Sequence, residues 1–135
     1  MSIKDNTSDL FTRIKNASKN NYSSVSCDLT KLTKNFVDLL LKEGLIRGYK
    51  IKKSKKNTFK IVILLKYINN APVIRKIVRV SKPSRSVYVN VNTLYRHSPF
   101  VKGLYIFIIS TSLGLMTDSE AWRLNLGGKI LGLII

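Results

Sequence analysis

Between Thr7 and Lys19 the apolar residues Leu10, Phe11, Ile14 and Ala17 recur at helical spacing, while Thr12, Arg13, Lys15, Asn16 and Lys19 fall on the other side. This pattern predicts an amphipathic helix with Asn6 or Thr7 as its N-cap. A second stripe follows Asp28 in "LTKLTKNFVDLLLKEG", where Leu29, Leu32, Phe36, Leu39 and Leu40 share a face and Gly44 supplies the stop. Beyond Gly44 the period shortens towards two. "LIRGYKIK" and "TFKIVILLKY" flank the polar connection "KSKKN" and read as a hairpin.

"NNAP" at 69–72 marks a junction, after which strands dominate. "VIRKIVRVS" leads through the turn "KPSRS" to "VYVNVN", in which Val87, Val89 and Val91 share one face. "LYRHSPFVKG" reads as a loop or a broken helical turn, and "LYIFIIS" as an apolar strand in the middle of a sheet. Thr117 with Glu120 matches a capping box, so "TDSEAWRLNLGG" is expected to be a short helix closed by Gly127 or Gly128, with "KILGLII" as the last strand. The predicted fold class is α+β in two small lobes. Residues 1–70 form a helix–helix–hairpin lobe, and residues 71–135 a mostly-β lobe with one short helix.

Composition narrows the function. The 135 residues are 44% hydrophobic, as in a folded chain, and the single cysteine, Cys27, excludes an internal disulfide. "LYIFII" and "ILGLII" fall short of the roughly 18 to 20 apolar residues of a spanning helix. The N-terminal residues resemble neither a signal peptide nor a transit peptide, since Asp5 and Asp9 intrude, and the protein is expected to work where it is made.

Charge changes the picture most. There are 24 Lys and Arg against 7 Asp and Glu, a net of +17. The interval between Glu43 and Asp118 holds 15 bases and no carboxylate. Such a chain repels itself unless a polyanion neutralises it, so the expected partner is a nucleic acid or an acidic membrane surface. The lysines of "KSKKN" either coat a wet turn or touch an RNA backbone.

The stretch "STSLGLMTDSEAW" places three hydroxyls at the end of the apolar strand. Acyl transfer is excluded for want of a base, because the lone His97 sits in a loop sequence and no G-x-S-x-G elbow surrounds Ser110 or Ser112. One Cys and one His cannot make a zinc site, and no phosphate-binding glycine pattern occurs. No metal, cofactor or small-molecule substrate is implied. Hydroxyls at a strand end either satisfy the turn and helix start, as assigned to Thr117, or exchange hydrogen bonds with phosphate and ribose, with Gly114 permitting close approach. For Ser110, Thr111 and Ser112 the second use is expected, so Thr111→Val and Ser112→Ala should weaken RNA binding and leave stability nearly unchanged.

"ISTSLGLMTDSEAWRLNLGGKIL" closely resembles the C-terminal signature S-T-S-x-G-x-M-T-D-x-x-A followed by G-G of the bacterial-type small-subunit ribosomal protein eight family. "DLFTRIKNA" resembles that family's first helix, "LLKEGLI" the end of its second, and "RVSKPS" followed by Tyr88 its R-V-S-R-P-G and tyrosine. The likeness extends over nearly the whole chain. It implies a protein without catalytic activity that binds the central domain of the small-subunit rRNA during assembly, beside neighbouring small-subunit proteins.

Carried over by position, the RNA-facing residues would be Ser81, Lys82, Tyr88, Ser110, Thr111, Ser112, Gly114, Thr117, Gly127 and Gly128 in the second lobe. Thr12, Arg13 and Asn16 would join them from the first. Two positions depart from the pattern: Leu113 replaces a lysine or polar residue, and Ser84 the glycine after Pro83. Seventeen lysines against seven arginines, with 11 asparagines and 15 isoleucines, is the usage of an AT-rich genome. With the missing transit-peptide pattern this leads to the expectation of an organellar ribosome, and the drift of several family positions puts a mitochondrial one before a plastid or bacterial one. The alternative function is a regulatory mRNA-binding protein using the same surface. A peripheral membrane protein using "ILGLII" fits less well, because that tail lacks an amphipathic helical pattern.

Overall fold

The computed structural model describes residues 6–81, 85–90 and 106–135. They divide into two compact units, Met1–Arg75 and Lys76–Ile135.

In the first unit, α1 (Asn6–Lys19) is followed by β1 (Ser24–Asp28), α2 (Lys31–Lys42), β2 (Ile46–Lys53) and β3 (Phe59–Leu65). The sheet order is β1-β3-β2, with both neighbours antiparallel to β3. β1 and β2 are thus parallel to each other, and α2 is the crossover between them. One sheet face carries Cys27, Ile61, Ile63 and Leu65, buried together with Leu10, Phe11 and Ile14 of α1 and Phe36, Val37 and Leu40 of α2. The rings of Phe11 and Phe36 meet at 5.2 Å between centroids, tilted by 44°. The separation is within the range in which aromatic pairs attract, and the tilt lies between the stacked and edge-to-face arrangements. Arg13 on α1 donates to the carbonyl of Ser26 at 3.0 Å and to Asp9 at 3.0 Å, bracing β1 against the helix.

Gly44 ends α2 as the sequence predicts. It adopts φ +75°, its N–H reaches the carbonyl of Leu41, and the N–H of Leu45 reaches that of Leu40. These bonds close the helix end with a left-handed residue where a side chain would be strained. The N-cap of α2 is Thr30, whose hydroxyl accepts from the N–H of Thr33 at 3.1 Å, two residues beyond Asp28. β1 has no counterpart in the sequence reading, because "SVSCD" is too short and too polar to announce a strand. In "NNAP" the two asparagines, Asn69 and Asn70, both at positive φ, make a tight turn between β4 (Tyr67–Ile68) and β5 (Ala71–Pro72).

The second unit contains β6 (Ile77–Arg79), β7 (Tyr88–Val89), β8 (Ile106–Thr111), β9 (Gly114–Thr117), α3 (Asp118–Arg123) and β10 (Gly128–Ile134). The sheet order is β6-β10-β8-β9, and β7 pairs with the start of β10. Ile109, Met116, Ala121 and Ile130 form its core, with Val80, Val87, Val89, Phe107 and Leu126 packed around them. The apolar strand read in "LYIFIIS" is β8, and it lies inside the sheet as expected.

The second unit differs from its expected form in two places. "GLMT" is a strand, β9, so the hydroxyl stretch is a β-hairpin turn rather than a strand end running into a helix. Asn125, at φ +56°, rather than Gly127 or Gly128, ends α3: its N–H reaches the carbonyl of Trp122, and that of Leu126 the carbonyl of Ala121. Asparagine tolerates this conformation better than other residues with a side chain, so no glycine is needed there. Lys82, the turn at Pro83 and Ser84, Val91 and His97 lie outside the described residues.

Candidate nucleic-acid interface

Three strands meet where β7, β10 and β8 lie side by side. Tyr88 pairs with Lys129, Lys129 with Ser110, and Ser110 with Leu115 of β9. Paired residues in an antiparallel sheet share a face, so Tyr88, Lys129 and Ser110 form a row on one side. Val89, Ile109, Met116 and Ile130 point to the other side, into the core. An exposed ring, an ammonium group and a hydroxyl thus stand together on the face away from α3. Tyr88 is 71% exposed.

The glycine pair makes this close pairing possible. A Cβ on Gly128 would lie 2.2 Å from the carbonyl oxygen of Ser110, and one on Gly127 would lie 2.6 Å from that of Val89. Any side chain there would push the strands apart. Gly127 and Gly128 therefore act through the sheet, letting β7 and β8 close on β10, rather than through a turn of the chain.

The hairpin β8–β9 sorts the hydroxyls by role. Thr111 turns inward: its Oγ1 donates to the carbonyl of Gly114 at 2.9 Å, accepts from the N–H of Leu113 at 3.2 Å, and lies 3.8 Å from Met116 Sδ. Ser112 and Leu113 form the exposed two-residue tip, Leu113 at 73% exposure, and Gly114 follows at φ +115°. The expectation that Thr111→Val leaves stability unchanged is corrected accordingly, because this hydroxyl closes the turn.

Two further residues carried over from the resemblance are buried. Ser81 Oγ accepts from the N–H of Val87 at 2.9 Å and donates to its carbonyl at 3.4 Å, tying the two ends of the 82–86 segment together. Thr117 Oγ1 accepts from the N–H of Glu120 at 3.3 Å, the N-cap bond that the capping-box pattern predicts. Neither hydroxyl is displayed on the surface.

In the first unit Thr12, Lys15, Asn16 and Lys19 are exposed along one side of α1, while Arg13 is engaged with Asp9 and Ser26. A separate cluster joins α2 to β2: Lys34 Nζ lies 2.6 Å from Asp38 and 5.1 Å from the ring centre of Tyr49, whose hydroxyl donates to Asp38 at 2.8 Å. The bond from Lys34 holds the Asp38 carboxyl below its ordinary range and the lysine above its own. Burial pushes the Cys27 thiol up to about 11. Among the described residues no group of three or more His, Cys, Asp or Glu side chains could hold a metal ion, and no helix is long and apolar enough to cross a membrane.

A family model described as ribosomal protein S8 matches residues 5–135. The chain belongs to the ribosomal protein S8 family. It is 43% identical over 132 residues to the small ribosomal subunit protein uS8 of Cereibacter sphaeroides, covering 97% of each chain. The uS8 proteins of Brucella melitensis and Rhodopseudomonas palustris are each 44% identical over 131 residues, again with 97% of both chains covered. The resemblance read in "STSLGLMTD" and the glycine pair was therefore to this family.

Lys129 is absent from the residues picked out by the sequence reading. Its position directly after the glycine pair gives no sign that β10 sets it against both Tyr88 and Ser110. Only the register between strands makes the three neighbours.

Proposed function

We propose that this member of the S8 family is a structural constituent of the small ribosomal subunit that binds the central domain of the small-subunit rRNA and helps it assemble, with no catalytic role. The observation that supports this best is the row Tyr88, Lys129 and Ser110, which continues towards the Ser112–Leu113 tip. A hydroxyl can exchange hydrogen bonds with ribose 2′-hydroxyls in a shallow minor groove, an ammonium can neutralise a phosphate, and a tyrosine can stack. The RNA-facing residues of this unit are then Tyr88, Ser110, Ser112, Gly114 and Lys129, with Lys82 carried over from the family pattern. Thr111, Thr117, Ser81, Gly127 and Gly128 hold that surface in shape. Thr12, Asn16 and Arg13 supply the contact from α1.

The partners are this rRNA and adjacent small-subunit proteins. Lysine-, asparagine- and isoleucine-rich usage favours an organellar ribosome, and the departures at Leu113 and Ser84 favour a mitochondrial one. Sedimentation of native particles tests the proposal. The protein should travel with the small subunit and crosslink to its rRNA; a protein found chiefly off ribosomal particles and crosslinked to a messenger RNA would replace this reading with the regulatory one.

A further inference from the structure

The β2–β3 hairpin ends in a surface that the row on the second unit does not use. Ile61 and Ile63 of β3 are fully buried under the helices, but Phe59, two residues earlier on the same face, is 50% exposed. Ile51, paired with Ile61 and diagonal to Phe59, is 47% exposed. The helical cover thus stops between Ile61 and Phe59, leaving an aromatic ring and one aliphatic neighbour in solvent. Lys53 is paired directly with Phe59.

Lys50, Lys52, Lys53, Lys55 and Lys56 are all exposed, and among the described residues none of them takes part in an ion pair. The neighbouring carboxylate, Asp28, is bound to Lys60. The hairpin connection itself is well formed: the N–H of Ser54 reaches the carbonyl of Thr58 at 2.7 Å, and Asn57 takes φ +57°. Lys50 and Lys52 alternate onto the other face of the sheet, so Lys53, on the ring's own face, and Lys55 and Lys56 in the connection are the three uncompensated ammonium groups nearest Phe59.

We infer that this hairpin is a second RNA contact, which takes a single-stranded segment with one unpaired base stacked on Phe59 and the flanking phosphates on the lysines. The inference deepens the proposed function and rests on it for RNA as the partner. Cross-strand neighbours have Cβ atoms roughly 5 Å apart, so the Lys53 side chain reaches a phosphate beside a base lying on the Phe59 ring. Unstacked bases commonly rest on aromatic side chains of a sheet, with cations along the backbone. The exposed apolar area, one ring and one isoleucine, suits a base better than the apolar centre of a protein interface.

The test uses the full chain and two RNAs: a nine-nucleotide uridine strand with 2-aminopurine at its centre, and a fragment of the central-domain rRNA helix. Stacking on Phe59 quenches the 2-aminopurine fluorescence. Phe59→Leu should weaken the nonamer roughly tenfold and remove the quenching, and Phe59→Trp should restore both. Replacing Lys53, Lys55 and Lys56 together by Gln should lower the salt slope of nonamer binding by about 2, a slope that Phe59→Leu leaves alone.

Neither change should move the melting temperature or the affinity for the rRNA helix. Nonamer binding indifferent to Phe59→Leu would overturn the inference. So would a glutamate-rich peptide that binds the hairpin in a Phe59-dependent way while the nonamer does not. Failure of the rRNA helix alone to bind would overturn the proposed function and leave the hairpin site standing.

Discussion

Removing one hydroxyl from the β8–β9 turn separates a side chain that shapes the interface from one that belongs to it. Thr111→Val keeps the β-branched shape and deletes an oxygen that donates to the Gly114 carbonyl at 2.9 Å and accepts from the Leu113 N–H at 3.2 Å. Each such bond contributes about 0.5 to 1.5 kcal/mol net. Both lie at an exposed tip where water can partly replace them, and the added methyl faces the sulfur of Met116. The loss is therefore expected at about 1 to 2 kcal/mol, or roughly 3 to 8 °C in Tm for a chain of this size. Thr111→Ser keeps both bonds and should stay within about 0.5 kcal/mol of the parent, the small deficit reflecting its weaker strand preference.

Thermal melting by circular dichroism measures the stability, and an equilibrium titration with the rRNA helix fragment measures affinity at a temperature where both variants are folded. Thr111→Val should bind less tightly only as far as the tip loosens. Ser112→Ala should melt like the parent and lose roughly 1 to 3 kcal/mol of binding, because it leaves a desolvated RNA group without a partner. A Thr111→Val variant that melts like the parent would refute the reasoning, since the hydroxyl would then contribute nothing to the turn.

Gly128→Ala should be far more disruptive, costing roughly 3 kcal/mol or more and lowering the denaturant midpoint, because its Cβ would meet the Ser110 carbonyl oxygen at 2.2 Å. Thr117→Ala should cost about 1 kcal/mol by loss of the α3 cap, read from the same unfolding curve. Cys27, with its thiol pushed up to about 11, should resist iodoacetamide at pH 8 in the native state and react quickly once unfolded. Its raised value stabilises the fold fully below the ordinary thiol range, and that contribution falls as pH climbs from about 9 to about 11, where the unfolded thiol ionises and the folded one does not. Asp38, held low by Lys34, contributes in the opposite sense: its stabilisation is present above the ordinary carboxyl value and lost as pH falls from there through the lowered folded one, which a series of melts in acid would follow.

Much of the fold could be read from the chain because its signals were local. The stripes of α1 and α2, the Gly44 stop, the lysine-rich hairpin and the Thr117 cap each depend on residues within a few positions of one another. β1 and β9 could not be read this way. "SVSCD" and "GLMT" are strands because β3 and β8 offer them partners, and nothing in five or four residues records that.

The same limit governs the surface. Hydroxyls and glycines stood out as types, but the roles of Thr111, Ser81 and Gly128 follow from which backbone groups lie within reach, and Lys129 joins Tyr88 and Ser110 only through strand register. Asn125 replaced the expected glycine at the end of α3 because a left-handed position accepts either residue.

Titration of the purified protein with the central-domain rRNA fragment at monovalent salt from 50 to 200 mM tests the central claim most directly. Lysines and arginines that neutralise phosphates release counterions, so affinity should fall roughly tenfold or more over that range, along a straight line in log–log form. Absence of binding at 50 mM, or an affinity that does not change with salt, would contradict the account.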